Sequence, residues 1–228
     1  MKKNTIILLF MLLMFSVSIS SGETIYEVQF NDSDPGFIGC YPSPLLLNNV
    51  SITGVVTAVD PDDSSNFYIQ DADSLWSGVF VSDAGSNLTP GDSVSFTGEV
   101  NEESDDGDGY THLTNISGLA TIVSGATVFT PPELTTGMLS QDCNDSAEAY
   151  EGMLVKVSTV DVTQEVDDDG YWMVDDGSGA TTISNEYYIF TPVMGETIIS
   201  ITGIASSFSD GSDVYYKIIP RTASDIEA

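Results

Sequence analysis

After the first 20 residues, the hydrophobic positions of this chain fall into short runs that almost never keep a helical period. "VSITGVVTAV", "NFYIQD", "GVFVSD" and "DSVSFTGEV" are β-branched and aromatic stretches bounded by Gly, Pro, Asp or Ser, with apolar and polar side chains tending to alternate. "MLVKVSTVDV", "YWMVDD", "ATTIS", "TIISITGIA" and "VYYKIIP" follow in the same character. A period of two puts successive side chains on opposite faces of a strand, so these runs predict an all-β sandwich or barrel. Their order also recurs. "FYIQDADSLWSGVFV" parallels "YWMVDDGSGATTI", "PGDSVSFTGEV" parallels "MGETIISITGIA", and Cys40 stands as far before Val50 as Cys143 does before Met153. Two copies are therefore expected, residues 24–130 and 135–228, joined by a linker at 131–134.

Each copy offers a long first strand, a hairpin into two shorter ones, a Pro-Gly or Met-Gly corner, a long fourth strand ending in Thr-Gly, and a fifth strand. Strands in that order curl into a small Greek-key barrel. "NFYIQDADSLWSGVFV", "GDSVSFTGEV", "EAYEGMLVKVSTVDV", "VDDGSG" and "IIPRTASDIE" resemble the tandem OB-like (oligonucleotide/oligosaccharide-binding) domains of exported bacterial proteins, which occur beside secreted endonuclease or exonuclease domains. The resemblance implies an all-β chain of two tandem five-stranded OB-like Greek-key barrels. It implies no particular ligand, because such modules ride with varied partners.

The first 20 residues break the pattern. Lys2 and Lys3 precede an apolar run from Ile6 to Phe15, and Ser18 and Ser20 are the small residues of a cleavage site. This predicts a secretory signal peptide over residues 1–20. The run is too short for the roughly 20 residues that span a bilayer, and no second run of spanning length follows. The expected mature protein has no membrane span and is secreted or periplasmic. Removing Lys2 and Lys3 leaves three cations against 35 acids, a net charge of −32. A field of that sign repels phosphate polymers, so nucleic acid is disfavoured as a partner, although divalent ions bridging acid to phosphate leave a cation-dependent version open. In an exported chain, Cys40 and Cys143 are expected to pair.

Catalytic chemistry finds little footing. His112 is the only histidine, and the sequence contains no phosphate-binding loop, dinucleotide fingerprint or zinc-ligand spacing. A non-enzymatic binding or assembly module is expected. Two sets of residues are candidates for its site. Glu165, Asp167, Asp169 and Asp176, with Gly170 between them, nearly match the spacing of a calcium loop, which makes calcium the candidate cofactor. A weaker cluster, "EESDDGDG", offers Asp106 and Asp108. The other set comes from strand alternation. If Phe67 and Ile69 face the core, Tyr68 and Gln70 face outward, and matching Asp71 to Asp175 puts Tyr171 inward and Trp172 outward. Tyr68, Gln70, Trp76 and Trp172 are then the expected ligand-binding residues, for a glycan or a protein partner. The alternative is an accessory nucleic-acid-binding module of an extracellular nuclease system.

Overall fold

The computed structural model describes residues 22–32, 40–85, 87–102, 109–140, 143–210 and 213–228; the expected signal peptide, Asp106 and Asp108 lie outside them. The first copy is a closed barrel of β1 (Asn49–Val59), β2 (Phe67–Gln70), β3 (Gly78–Val81), β4 (Ser93–Glu102) and β5 (Thr111–Val123), ordered β1-β2-β3-β5-β4 around the ring. β3 and β5 run parallel, and antiparallel pairing of β1 with β4 closes the ring. The second copy repeats this with β6 (Leu154–Gln164), β7 (Tyr171–Asp175), β8 (Thr181–Ser184), β9 (Thr197–Asp210) and β10 (Asp213–Ile219). β8 and β10 are parallel, β9 pairs with both β6 and β10, and a short β11 (Ile226–Glu227) adds to β9. The chain is thus all-β, with two tandem OB-like barrels. Among the described residues no helix is long and apolar enough to cross a membrane.

Each barrel is filled by the inward half of its alternating strands. Phe67, Ile69, Val79, Val81, Val94 and Phe96 form the first core; Val155, Val157, Trp172, Val174, Ile183 and Ile218 lead the second. A short helical segment sits at one end of each. In the first copy it is α1 (Ile25–Gln29), which begins with a capping box between Thr24 and Glu27 and buries Ile25 and Val28. In the second copy a 3₁₀ turn over Thr136–Leu139 buries Leu139.

The same device fixes both segments. The aspartate that follows the second strand accepts a hydrogen bond from the first N–H of the segment: Asp71 Oδ2 from Ile25 N at 2.7 Å, and Asp176 Oδ2 from Thr136 N at 3.1 Å. Helix starts leave such N–H groups without an intrahelical partner, so a carboxylate there is favourable. Asp71 therefore corresponds to Asp176, not Asp175. The bulges agree, since β1 pairs Val56 with Ile69 where β6 pairs Val162 with Val174, each beside a register shift. With the repeat matched this way, Phe67 corresponds to Trp172 and Tyr68 to Met173. The expected orientation of the second hairpin is corrected by one residue: Trp172 is wholly buried in the core and Tyr171 lies on the outer face. A slip of one position exchanges every inside and outside side chain of a strand.

The barrels pack against each other through Ala58, Tyr68 and Phe80 of the first and Leu154, Tyr187, Ile204 and Ile219 of the second. The seam is tied by hydrogen bonds from Trp76 N to Ala149 O at 2.8 Å, from Leu154 N to Gln70 Oε1 at 2.7 Å, and from Thr111 N to Glu151 Oε1 at 3.0 Å. Gly78 and Gly152 meet backbone to backbone. A Cβ on Gly78 would lie 2.3 Å from the Gly152 carbonyl carbon, and Gly152 itself has φ of +71°. Arg221, in the "IIPRTASDIE" stretch, grips Asp225 with two nitrogens and donates from a third to Thr57 O of β1 at 2.9 Å. Cys40 and Cys143 are bonded, with Cα atoms 5.4 Å apart, which fixes the segment before β1 against the second core.

Glu148 and Glu151 are also buried near the seam, with Glu102 half-buried beside them. Glu102 Oε1 accepts from Ser43 N and Thr111 Oγ1, Glu148 Oε2 from the Tyr216 hydroxyl, and Glu151 from Thr111 N and Ser207 Oγ. Burial pushes Glu102 up to about 7, and burial together with the neighbouring Glu102 pushes Glu151 up to about 8. Glu148 is raised well above the carboxylate range by burial and by Glu151.

Candidate binding site

The structure scatters the residues expected to bind ligand. Trp172 is 0% exposed, its indole N–H held by Asn185 Oδ1 at 3.2 Å. Tyr68, 5% exposed, and Gln70, 1% exposed, do lie on the outer face of β2, but the second barrel covers that face. The Tyr68 hydroxyl meets Ser206 Oγ at 3.2 Å, and Gln70 is consumed by the backbone of Leu154. Trp76 is 8% exposed and sits beside the seam against Phe30. The first barrel has therefore given the outer face of its second and third strands to interdomain packing.

The residues proposed for calcium do not converge either. Glu165 Oε1 accepts from Met194 N at 3.3 Å. Asp167 Oδ1 accepts from Asp169 N and Tyr171 N and so shapes its own turn. Asp176 is drawn to Thr136 and Ser178; burial opposes its charge, but those hydrogen bonds outweigh burial and hold its carboxyl below the usual range. Asp169 is exposed in the loop. Among the described residues no group of three His, Cys, Asp or Glu is placed to hold a metal ion.

The outer face of the second barrel stays open. On β7 burial alternates, leaving Tyr171, Met173 and Asp175 half-buried while Trp172 and Val174 point in. On β10 Tyr216 and Ile218 point into the core and Tyr215 is half-buried, while Lys217, itself buried, lies on the opposite face with its ammonium beside the Tyr171 and Phe208 rings. With Phe208 of β9 they make an aromatic surface. Tyr171 and Phe208 stack with centroids 5.0 Å apart and planes 27° from parallel, and Phe208 and Tyr215 lie 5.6 Å apart. Lys217 Nζ rests 5.6 Å from the Tyr171 centroid and 5.8 Å from that of Phe208, within cation–π range. The same nitrogen pairs with Glu186 Oε2 at 2.9 Å. A hollow of about 310 Å³ adjoins this surface, lined by Asp169, Gly170, Tyr171, Asn185, Glu186 and Lys217. Its polar groups are both donors and acceptors, and its cation is neutralised. Phe208, Tyr215 and Lys217 were not among the residues expected from sequence, although the alternation in "VYYKII" already separates Tyr215 and Lys217 from Tyr216 and Ile218.

No family model matches the chain, and no curated protein matches it. Several solved structures align with it at low similarity. A murine DNA-binding protein solved with double-stranded DNA is 12% identical, with 73% of this chain and 92% of that one covered and a TM-score of 0.37. Tetrameric p202 HIN2 is 13% identical over 74% of this chain and 86% of its own, with a TM-score of 0.35. A multidomain protein with nucleic-acid-binding domains from Streptococcus pneumoniae is 14% identical over 76% of this chain and 45% of its own, with a TM-score of 0.20. At these scores the similarities assign no ligand.

Proposed function

We propose that this protein is an exported, non-enzymatic binding module that offers the outer face of its second barrel to a neutral glycan. One observation carries the reading: of two equivalent outer faces, the one left open bears stacked aromatic rings beside a lysine whose charge is cancelled by Glu186. Ring faces of Tyr171, Phe208 and Tyr215 suit the apolar faces of sugar rings, while Asn185 and the Lys217–Glu186 pair suit hydroxyl groups. The bonded cysteines support export, because disulfides persist in oxidising compartments.

A second reading has an observation of its own. The same rings on this face of an OB-like barrel would stack nucleobases, with Lys217 near the backbone. Charge speaks against it. The chain carries −30, and the hollow beside the rings adds Asp169 and Glu186 where phosphate would need free cations.

Affinity electrophoresis through gels containing single neutral polysaccharides, run beside a single-stranded oligonucleotide titration in 0.15 M salt, separates the two readings. Retardation by at least one polysaccharide without oligonucleotide binding is expected. Oligonucleotide binding with no retardation by any polysaccharide would transfer the function to nucleic acid.

A further inference from the structure

A hollow larger than the one on the open barrel face lies elsewhere. It is a cleft of about 580 Å³ at the seam, walled by Phe30, Tyr41 and Trp76 from the first copy and by Met138, Asp145 and Tyr150 from the second, with Asp32 at its edge. Its aromatic rings are set at a corner. Tyr26 stacks under Phe30 at 4.9 Å, and Phe30 meets Trp76 edge to face, 5.5 Å apart at 84°. A flat ring ligand wants one platform or two parallel ones. Rings at right angles instead wrap a compact, rounded group.

Two wall residues are held against their backbone preference. Tyr41 has φ of +51° and Trp76 has φ of +64°. Bulky residues rarely occupy this left-handed region, which costs of order 1–3 kcal/mol each unless the surroundings enforce it. Here they do: Trp76 N–H is fixed by Ala149 O at 2.8 Å, and Tyr41 follows the bonded Cys40. Two separate segments thus bear this strain at the walls of one cleft.

The charge of the cleft selects the ligand. Among the described residues its ionic lining groups are the exposed carboxylates Asp32 and Asp145, with neither Lys nor Arg. Aromatic ring faces are electronegative and attract cations, and the attraction grows when water is excluded. We propose that this cleft binds an alkylated ammonium head group of the trimethylammonium type, with the Phe30–Trp76 corner around its methyl groups and Asp32 and Asp145 balancing its charge. The head group could belong to a free small molecule or to a lipid.

The test uses the full chain and reads tryptophan fluorescence together with calorimetry. Trp172 is sealed in the second core, so a ligand-dependent signal reports Trp76. Choline should give a saturable response, and its neutral isostere 3,3-dimethylbutan-1-ol should bind roughly tenfold more weakly or worse, the ratio that a desolvated cation–π contact of about 2 kcal/mol supports. Phe30→Ala and Asp145→Asn should each weaken choline several-fold while the melting temperature stays near wild type. Co-sedimentation with phosphatidylcholine vesicles that Phe30→Ala abolishes assigns the head group to lipid; choline binding without co-sedimentation assigns it to a free ligand, and either supports the site. Equal affinity for choline and the isostere, a saturable response to glucose instead, or no saturable response to choline by either method overturns the proposal. None of these outcomes depends on whether the open face of the second barrel binds glycans.

Discussion

The two barrels have the same strand order and the same pleat, yet their second strands meet opposite fates. In β2 all four residues are buried, the inward pair by the first core and the outward pair by the second barrel. In β7 burial alternates, and the outward residues remain half-open beside Lys217. The lesson is that a repeated fold need not repeat a function. One copy has spent its outer face on building the pair, and the other presents that face. The outer face of the first barrel is taken up by the seam, with its tight glycine contact and polar ties to the second barrel, whereas the second barrel keeps Tyr171, Phe208 and Lys217 together on a half-open face.

The strongest way to break the comparison is at the seam. Gly78→Ala sets a Cβ into the Gly152 backbone, where no flexible side chain can yield, so a loss of about 3 kcal/mol or more is expected in urea unfolding. Gly177→Ala, with φ of +97° and nothing near its Cβ position, should lose only the backbone strain, about 1 kcal/mol. Equal losses would mean that the close approach of the barrels is unimportant. A direct contrast of the faces comes next. Tyr68→Ala opens a hole under the second barrel and should cost about 3 kcal/mol, whereas Tyr171→Ala on the open face should cost about 1 kcal/mol or less.

The acid dependence sharpens the same boundary. Glu102 and Glu151 hold protons in the folded state up to about 7 and about 8, against an ordinary value of 4.5. A raised folded-state value means that folding retains protons the unfolded chain would release. Their contribution is complete below about pH 4.5 and falls as the pH rises through about 7 and about 8. The melting temperature should drop by ~5 °C or more between pH 4.5 and pH 8, and Glu151→Gln should flatten that slope. A slope unchanged in Glu151→Gln would assign it to the general acidity of the surface. The smallest effect expected is that of calcium. Because Glu165, Asp167 and Asp176 have separate partners, calcium should raise the melting temperature no more than magnesium at equal ionic strength, and a distinctly larger rise would restore a site on that loop.

Much of this was legible in the residues. The strands, their repeat and the pairing of Cys40 with Cys143 follow from period, order and redox context. The phase of the second hairpin did not, because "YWMVDD" contains two adjacent aspartates and either fits a match to Asp71. Only the structure decides it, through the hydrogen bond from Thr136 N to Asp176 and the matching bulges, which set Phe67 against Trp172 and not Tyr171. Nothing local in "NFYIQD" says that Tyr68 and Gln70 will be covered, since that depends on a surface more than 80 residues away, as the Gln70–Leu154 bond illustrates. The burial of Glu148 and Glu151 is equally silent, as glutamates in "SAEAYEG" read as a solvated turn.

The central claim is that the open face of the second barrel carries the ligand. It is tested most directly by the dissociation constant for whichever neutral polysaccharide retards the wild type, measured by titration calorimetry on three folded proteins. Loss of two aromatic platforms in the double variant Tyr171→Ala, Phe208→Ala should weaken binding by roughly tenfold or more, at about 1–3 kcal/mol per stacked ring, with Tyr26→Ala unchanged as the aromatic control at the other cleft. Undiminished affinity in the double variant, with affinity lost in Tyr26→Ala instead, would contradict the account.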